Sequence, residues 1–476
     1  MNDLASRAYD RFKEAHAARR AALACMVTLA VALGIGRFAF TPLLPLMLQG
    51  SASGQPQLDI QHGGWLASFN YAGYFVGALS CAALRVQPAH MVRVGLVATV
   101  LLTLAMGVTS QFWVWAVVRF VAGAVSAWTF VFASQWGLRR LAELRARRWS
   151  GVIYTGPGVG IVGTGVLVSV AGGYGATVGW IGFGLIGAAL SAAVWPEFRG
   201  AGGARGQGAQ LRARGPVGQI VADERGTSAS TTGHAAADER DEPSERAANG
   251  STAGEEAVGR RSASRRARSQ SANGHAVRHT RHRADAIWLV LLYGIPGFGY
   301  IITATFLPVI ARHALPDSFW PDLFWPMFGA ALIVGALLGA RLPGHWDNRT
   351  LLAGCYVVQA LGIALGIVWP TAGGFSLGSV LIGLPFTAIT LFAMREARRL
   401  RGDDAAGLMG YATAAYGVGQ IVGPLVAAPI AGHTGSFSPA LWLAAGALVV
   451  GAAGLVAVAR VPRACDRDRM PDCGCN

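Results

Sequence analysis

Long unbroken apolar runs dominate this chain, rather than the alternating or helical-period stripes of a soluble domain. Windows of that kind fall at 21–48, 64–84, 89–109, 113–137, 149–171 and 175–195. A second series follows at 286–311, 321–341, 350–370, 375–395, 406–430 and 437–459. About 20 residues of helix, at about 1.5 Å rise each, cross a hydrocarbon core of about 30 Å. The pattern therefore predicts an all-α membrane protein with twelve transmembrane helices in two six-helix bundles.

Polar positions between the runs give the order a direction. Arg19 and Arg20 precede the first span, and the even connections are basic. They carry Arg85 and Arg93, then Arg139, Arg140, Arg145, Arg147 and Arg148, then Arg341 and Arg349, then Arg395 to Arg401, and in the tail Arg460 to Arg469. Alternate connections are almost free of basic residues, with Arg312 the exception. The positive-inside rule then places both termini in the cytoplasm.

The expected domains are a cytoplasmic segment 1–20, a bundle 21–195, a linker 196–285, a bundle 286–460 and a cytoplasmic tail 461–476. The linker, rich in Gly, Ala, Ser, Arg and Glu, has too little apolar surface to offset its chain entropy and reads as disordered.

The two series also resemble each other. Gly34, Gly36, Leu44 and Pro45 recur 263 positions later as Gly297, Gly299, Leu307 and Pro308. Gly123, Phe132, Ala133 and Arg139 recur 260 later as Gly383, Phe392, Ala393 and Arg399. Gly158-Val159-Gly160-Ile161-Val162-Gly163 is matched by Gly417-Val418-Gly419, Gln420 and Ile421-Val422-Gly423. Six spans apart preserves direction across the membrane, so this is a parallel repeat, with a central site expected between halves that rock.

Composition sharpens what is excluded. The chain is 53% hydrophobic and 14% charged, with 64 glycines, which suits close helix packing in lipid. A formal charge of +15 would suggest nucleic acid in a soluble protein, but here the arginines flank spans, so no nucleic-acid partner is expected. Lys13 is the sole lysine, which removes phosphate loops and Schiff-base chemistry. Cys25, Cys81 and Cys355 read as small hydrophobes. The Cys465, Cys473 and Cys475 tail lacks a nearby histidine, and no metal or cofactor is expected.

Ionisable groups inside a membrane are costly and mark function. Two stand well inside spans, Arg37 and Arg119, while Asp59, Asp285, Asp322 and Glu396 read as lying at span ends. Gly34 and Gly36 are expected to open space beside Arg37. Two cations without buried anions point to an anionic guest or to pairing with backbone carbonyls. Asn70, Tyr71, Tyr74, Tyr300, Tyr416 and Gln420 are candidate cavity-lining groups beside them, with interhelical packing as the alternative. Tyr293, Tyr411, Trp128, Gln135 and Gln359 belong to the same wider set. Gly156-Pro157 and Gly423-Pro424 are candidate hinges.

Gly34-Ile35-Gly36-Arg37-Phe38 through Pro42-Leu43-Leu44-Pro45, with Asn70-Tyr71-Ala72-Gly73-Tyr74, resembles the YbfB/YjiJ-like branch of the major facilitator superfamily. Arg119-Phe120-Val121-Ala122-Gly123 resembles that superfamily's fourth-span arginine motif, and the resemblance implies a proton-coupling role for Arg119. Gly156-Pro157 with Gly160 partly resembles the antiporter glycine–proline motif. Leu84-Arg85-Val86-Gln87 lacks the aspartate usual between spans two and three, and only Asp347 with Arg349 echoes it.

The expectation is a monomeric secondary transporter, not an enzyme, exporting a small organic solute with protons as coupling ion. The bilayer is its other partner. The alternatives are an uptake permease or exchanger of an organic anion, and a non-transporting sensor signalling through the linker.

Overall fold

The computed structural model describes residues 2–49, 58–199 except 82 and 85, 253–339, 341–342, 346–401 and 405–460. Eleven of the described helices are long and apolar enough to cross a membrane. In the first half these are α1 (Lys13–Gln49), α3 (Pro88–Val108), α4 (Phe112–Glu143), α5 (Ser150–Ala171) and α6 (Gly175–Phe198). In the second they are α7 (Ala284–Ala314), α8 (Trp320–Gly339), α9 (Asn348–Val368), α10 (Ala372–Arg401), α11 (Gly407–Thr434) and α12 (Ser438–Arg460).

The remaining expected span, α2 (Ile60–Ser80), has the length, 21 residues, but not the apolarity. It carries Gln61, His62, Asn70, Tyr71 and Tyr74. Asn70 and Tyr71 are buried among other helices, where polar groups are tolerated because protein rather than lipid surrounds them. Its first turn is closed by Asp59, whose carboxylate accepts from the His62 amide at 2.7 Å.

The outer faces of the helices are apolar. Leu101 is 60% exposed and Val450 69%, positions that suit lipid and not water.

The described helices of residues 2–199 and 284–460 form one compact unit. Both ends of the expected linker have regular backbone. Residues Trp195–Phe198 form a helical turn ending the first bundle, and helical backbone already runs from Ala253, in Ala253–Ala314. Ala, Arg, Glu and Gln propagate a helix readily once a membrane span supplies the nucleus. Residues 200–252 and the tail from 461, with its three cysteines, lie outside the described residues.

Contacts follow the repeat. The backbone of Gly34 in α1 lies directly on that of Gly160 in α5, and their counterparts Gly297 and Gly419 meet in the same way between α7 and α11. A Cβ on Gly77 would stand 2.6 Å from Ala124 Cα, and a Cβ on Gly335 would collide with the carbonyl of Leu384. Small residues thus let backbones touch at matching places in both halves. At Gly34 any side chain meets backbone that cannot yield. Gly34→Val is expected to cost about 1–3 kcal/mol and lower the thermal midpoint of the purified protein by several degrees, read by intrinsic fluorescence.

Three interruptions break the helical regularity. Residues Ala30–Phe38 of α1 are π-helical, just before Pro42 and Pro45, which cannot donate to the carbonyls of Phe38 and Thr41. In α5, Tyr154 and Thr155 form a turn before Gly156-Pro157. In α10, Leu384 and Pro385 separate Ala372–Gly383 from Phe386–Arg401. Gly423-Pro424 lies within the continuous helix Ala405–Thr434.

Candidate functional site

The π-helical stretch and α4 position the two arginines. Arg37 and Arg119 are 5% and 2% exposed. Arg119 donates from both terminal nitrogens to backbone carbonyls of α1, at 3.4 Å to Gly36 and 3.2 Å to Arg37, and its guanidinium lies 4.7 Å from the centre of the Phe40 ring. It therefore clamps the loosened part of α1. Arg37 turns the other way. Its Nη2 donates to Gln420 Oε1 in α11 at 3.0 Å, and its guanidinium stands 4.1 Å from the Tyr74 ring centre and 5.0 Å from that of Tyr71.

Neither arginine has a carboxylate within 4.0 Å among the described residues, and the Nε of each is buried without a partner. Asn70 donates to the Arg119 carbonyl at 2.8 Å, while its own Oδ1 is also buried and unpartnered. Gln420 hydrogen-bonds the Tyr300 hydroxyl through Nε2. Tyr416 stacks between Tyr300 and Tyr293, at 5.9 and 5.0 Å between ring centres, and Phe386 meets Tyr300 edge-on. All eight expected lining residues thus come together around one centre.

The glycines do something other than expected. Gly34 is occupied by the α5 backbone, and a Cβ on Gly36 would stand 2.8 Å from Thr99 Cγ2, so both serve helix contact rather than space beside Arg37. Of the wider set, Tyr411 is 70% exposed and Gln135 faces outward, Trp128 donates to Ser80, and Gln359 donates to the Ile382 carbonyl. Tyr293 reaches the centre and donates to Thr390 at 3.1 Å.

The repeat makes the asymmetry visible. Tyr300 is 263 positions after Arg37, so a phenol in one half stands where the other has a guanidinium. Ser379, buried, stands 260 positions after Arg119. Both arginines come from the first half, which also supplies Asn70, Tyr71 and Tyr74; the second half supplies only uncharged groups, the hydroxyls and rings of Tyr300 and Tyr416 and the amide of Gln420.

Several bonds join the halves. Thr41 donates to the Ala304 carbonyl at 2.9 Å, Tyr71 and Thr305 share a bond of 3.0 Å, Ser68 donates to the Ile421 carbonyl at 2.9 Å, and Ser169 donates to that of Asp322 at 3.1 Å. Together with the Arg37–Gln420 bond, they hold the two halves against each other.

A buried carboxylate escaped the sequence reading. Glu396, assigned to a span end, is 1% exposed and accepts from Arg349 Nε at 2.7 Å and Asn348 at 3.2 Å. Arg349 also binds Asp285 at 3.0 Å and the Val458 carbonyl at 3.1 Å. Asp347 caps α9 through the Arg349 amide, and Arg399 stands 4.0 Å from it. The arginines crowded into Arg395–Arg401 disguised Glu396 as loop, although it follows Phe392 and Ala393 by one helical turn on the inward face. Among the described residues no cluster of three His, Cys, Asp or Glu is placed to hold a metal.

The family model described as "Uncharacterised MFS-type transporter YbfB" matches residues 29–221 and 258–456. The chain belongs to this family of major facilitator transporters. A comparison with curated protein sequences gave no match. Among solved structures, the fold is similar to that of the nucleoside transporter NupG. A point mutant of NupG matches with a TM-score of 0.59 at 14% identity, over 92% of this chain and 99% of that one. A second NupG structure gives 0.56 at 14% identity, over 94% and 100%. Membership in the family and the shared fold make the chain a multi-pass transporter with two parallel six-helix repeats.

Proposed function

We propose that the protein carries a small organic anion across the membrane by alternating access. The anion sits between the halves against Arg37 and Arg119, with Asn70, Tyr71, Tyr74, Tyr300, Tyr416 and Gln420 around it. One observation carries this reading. Two charged side chains are buried at the centre, neither paired with a carboxylate among the described residues and each with an unused N–H. A buried cation is strongly disfavoured unless an anion compensates it. A nucleoside, the solute that NupG is named for, is neutral and would leave both charges standing. In this reading the glycine–proline pairs Gly156-Pro157 and Gly423-Pro424 flex as the halves rock.

Proton-coupled efflux, with Arg119 as coupling residue, is the expectation drawn from the superfamily resemblance. The centre favours the exchanger alternative. Among the described residues no carboxylate lies against either arginine to carry a proton, and an empty centre would have to reorient with its charges uncompensated. One anion replacing another avoids that cost. Proteoliposomes preloaded with the transported anion are therefore expected to take up labelled anion about tenfold faster than empty ones. Equal rates in both, with a dependence on a pH gradient, would restore the proton-coupled reading. Finding the anion comes first, through a thermal-shift screen of organic acids against their neutral amides on the purified protein.

A further inference from the structure

Away from the centre, a groove of about 420 Å³ runs between α3 and α6 on the outside of the first half. Its walls are Val97, Val100, Leu101 and Ala188, the trough of an acyl chain rather than of a polar solute. Its mouth is different. Trp195 and Arg199 stand there at the end of α6, beside Arg93 of α3, whose guanidinium lies 5.8 Å from the Trp195 ring centre. Inside, Ser191 is 6% exposed and its hydroxyl has no partner; Arg93 Nε is also buried and unpartnered. The one acidic residue on this turn, Glu197, is already taken by Arg20.

We propose that this groove holds one anionic phospholipid of the leaflet on the basic side. Arg93 and Arg199 would receive its phosphate and headgroup, Ser191 would donate to an ester oxygen, and one acyl chain would fill the trough. The chemistry fits at both ends. Arginines and a tryptophan at the interface favour an anionic headgroup, and the aliphatic walls favour a chain. The assignment to the cytoplasmic leaflet follows the arginine-rich connections, and the site does not depend on what the carrier transports.

The groove also reaches the centre through packing. A Cβ placed on Gly187 of α6 would stand 3.6 Å from Val100 in the groove wall and 3.7 and 3.8 Å from Ile35 and Val31 in the π-helical stretch that carries Arg37. A chain in the trough braces α3 and α6 against that stretch.

Native mass spectrometry of the full chain in a delipidating detergent tests the site, with phosphatidylglycerol and phosphatidylcholine added at equal concentration. Wild-type protein should retain phosphatidylglycerol selectively. Each of Arg93→Gln and Arg199→Gln should weaken retention about fivefold, while Arg140→Gln, elsewhere on the basic side, should leave it unchanged. Ala192→Phe, an exposed groove position, should block the trough and remove the lipid with both arginines intact and the fold undisturbed. Equal retention of the two lipids, or full retention in Ala192→Phe, would overturn the proposal; the latter would mean charge alone attracts the lipid.

Discussion

Arg37→Met is expected to abolish transport and yet leave the protein as stable as, or more stable than, the wild type. The side chain holds Gln420 by one neutral-partner bond and otherwise rests on the Tyr74 and Tyr71 faces. Methionine fills similar volume and removes a buried charge that no carboxylate among the described residues compensates, a change that is often neutral or stabilising. Its loss from the binding site is another matter. A charge-assisted bond to an anion is worth about 1.5–3 kcal/mol, so a forked pair gives about 100-fold or more in apparent affinity. Flux assays and thermal midpoints on the same preparation read both quantities. A variant that transports normally would remove Arg37 from the site, whatever its stability.

Arg119→Met should fail in the opposite manner, losing stability as well as transport. Arg119 donates to the Gly36 and Arg37 carbonyls, which lie in the π-helical part of α1 just before Pro42 and Pro45. Leaving those acceptors unpaired in a dry interior costs about 1–3 kcal/mol each, several degrees in the thermal midpoint of a bundle this size. Arg119→Lys should recover little, since an ammonium cannot fork onto two carbonyls in the fixed guanidinium geometry. If Arg119→Met melted with the wild type, the clamp on α1 would not be holding it.

Much of this was legible in the residues. Apolar runs located the helices because a bilayer imposes length and apolarity together; α2 was found as the window 64–84 although it is the least apolar of the twelve, its polar side chains being sheltered by neighbouring helices rather than faced by lipid. The offsets near 260 marked Gly34 and Gly297, and Gly160 and Gly419, as equivalent positions, and the structure brings each glycine of α1 and α7 onto its counterpart in α5 and α11. Arg37 and Arg119 stood out because a charge within a span has few innocuous explanations.

What stayed hidden depends on long-range pairing. The helical spacing from Phe392 and Ala393 hints at the inward face of Glu396, but the partners that hold it there, Arg349 and, through it, Asp285, lie 47 and 111 positions earlier. The roles of Gly34 and Gly36 were misjudged for the same reason, because the backbone and side chain that fill their space come from α5 and α3. Nor can a sequence window reveal that Arg119 binds α1 rather than facing the centre freely.

Thr41 and Ala304 are 263 residues apart, the offset of the repeat itself, and they touch. Equivalent positions can meet only on the axis that relates the halves. Beside that axis, a symmetric pair of six-helix subunits would have set guanidinium against guanidinium, or phenol against phenol. Two unlike halves in one polypeptide escape that restriction. Joining them end to end is what permits a cation on one side of the pathway and a hydroxyl on the other, a polarity across the axis that no homodimer of either half can possess.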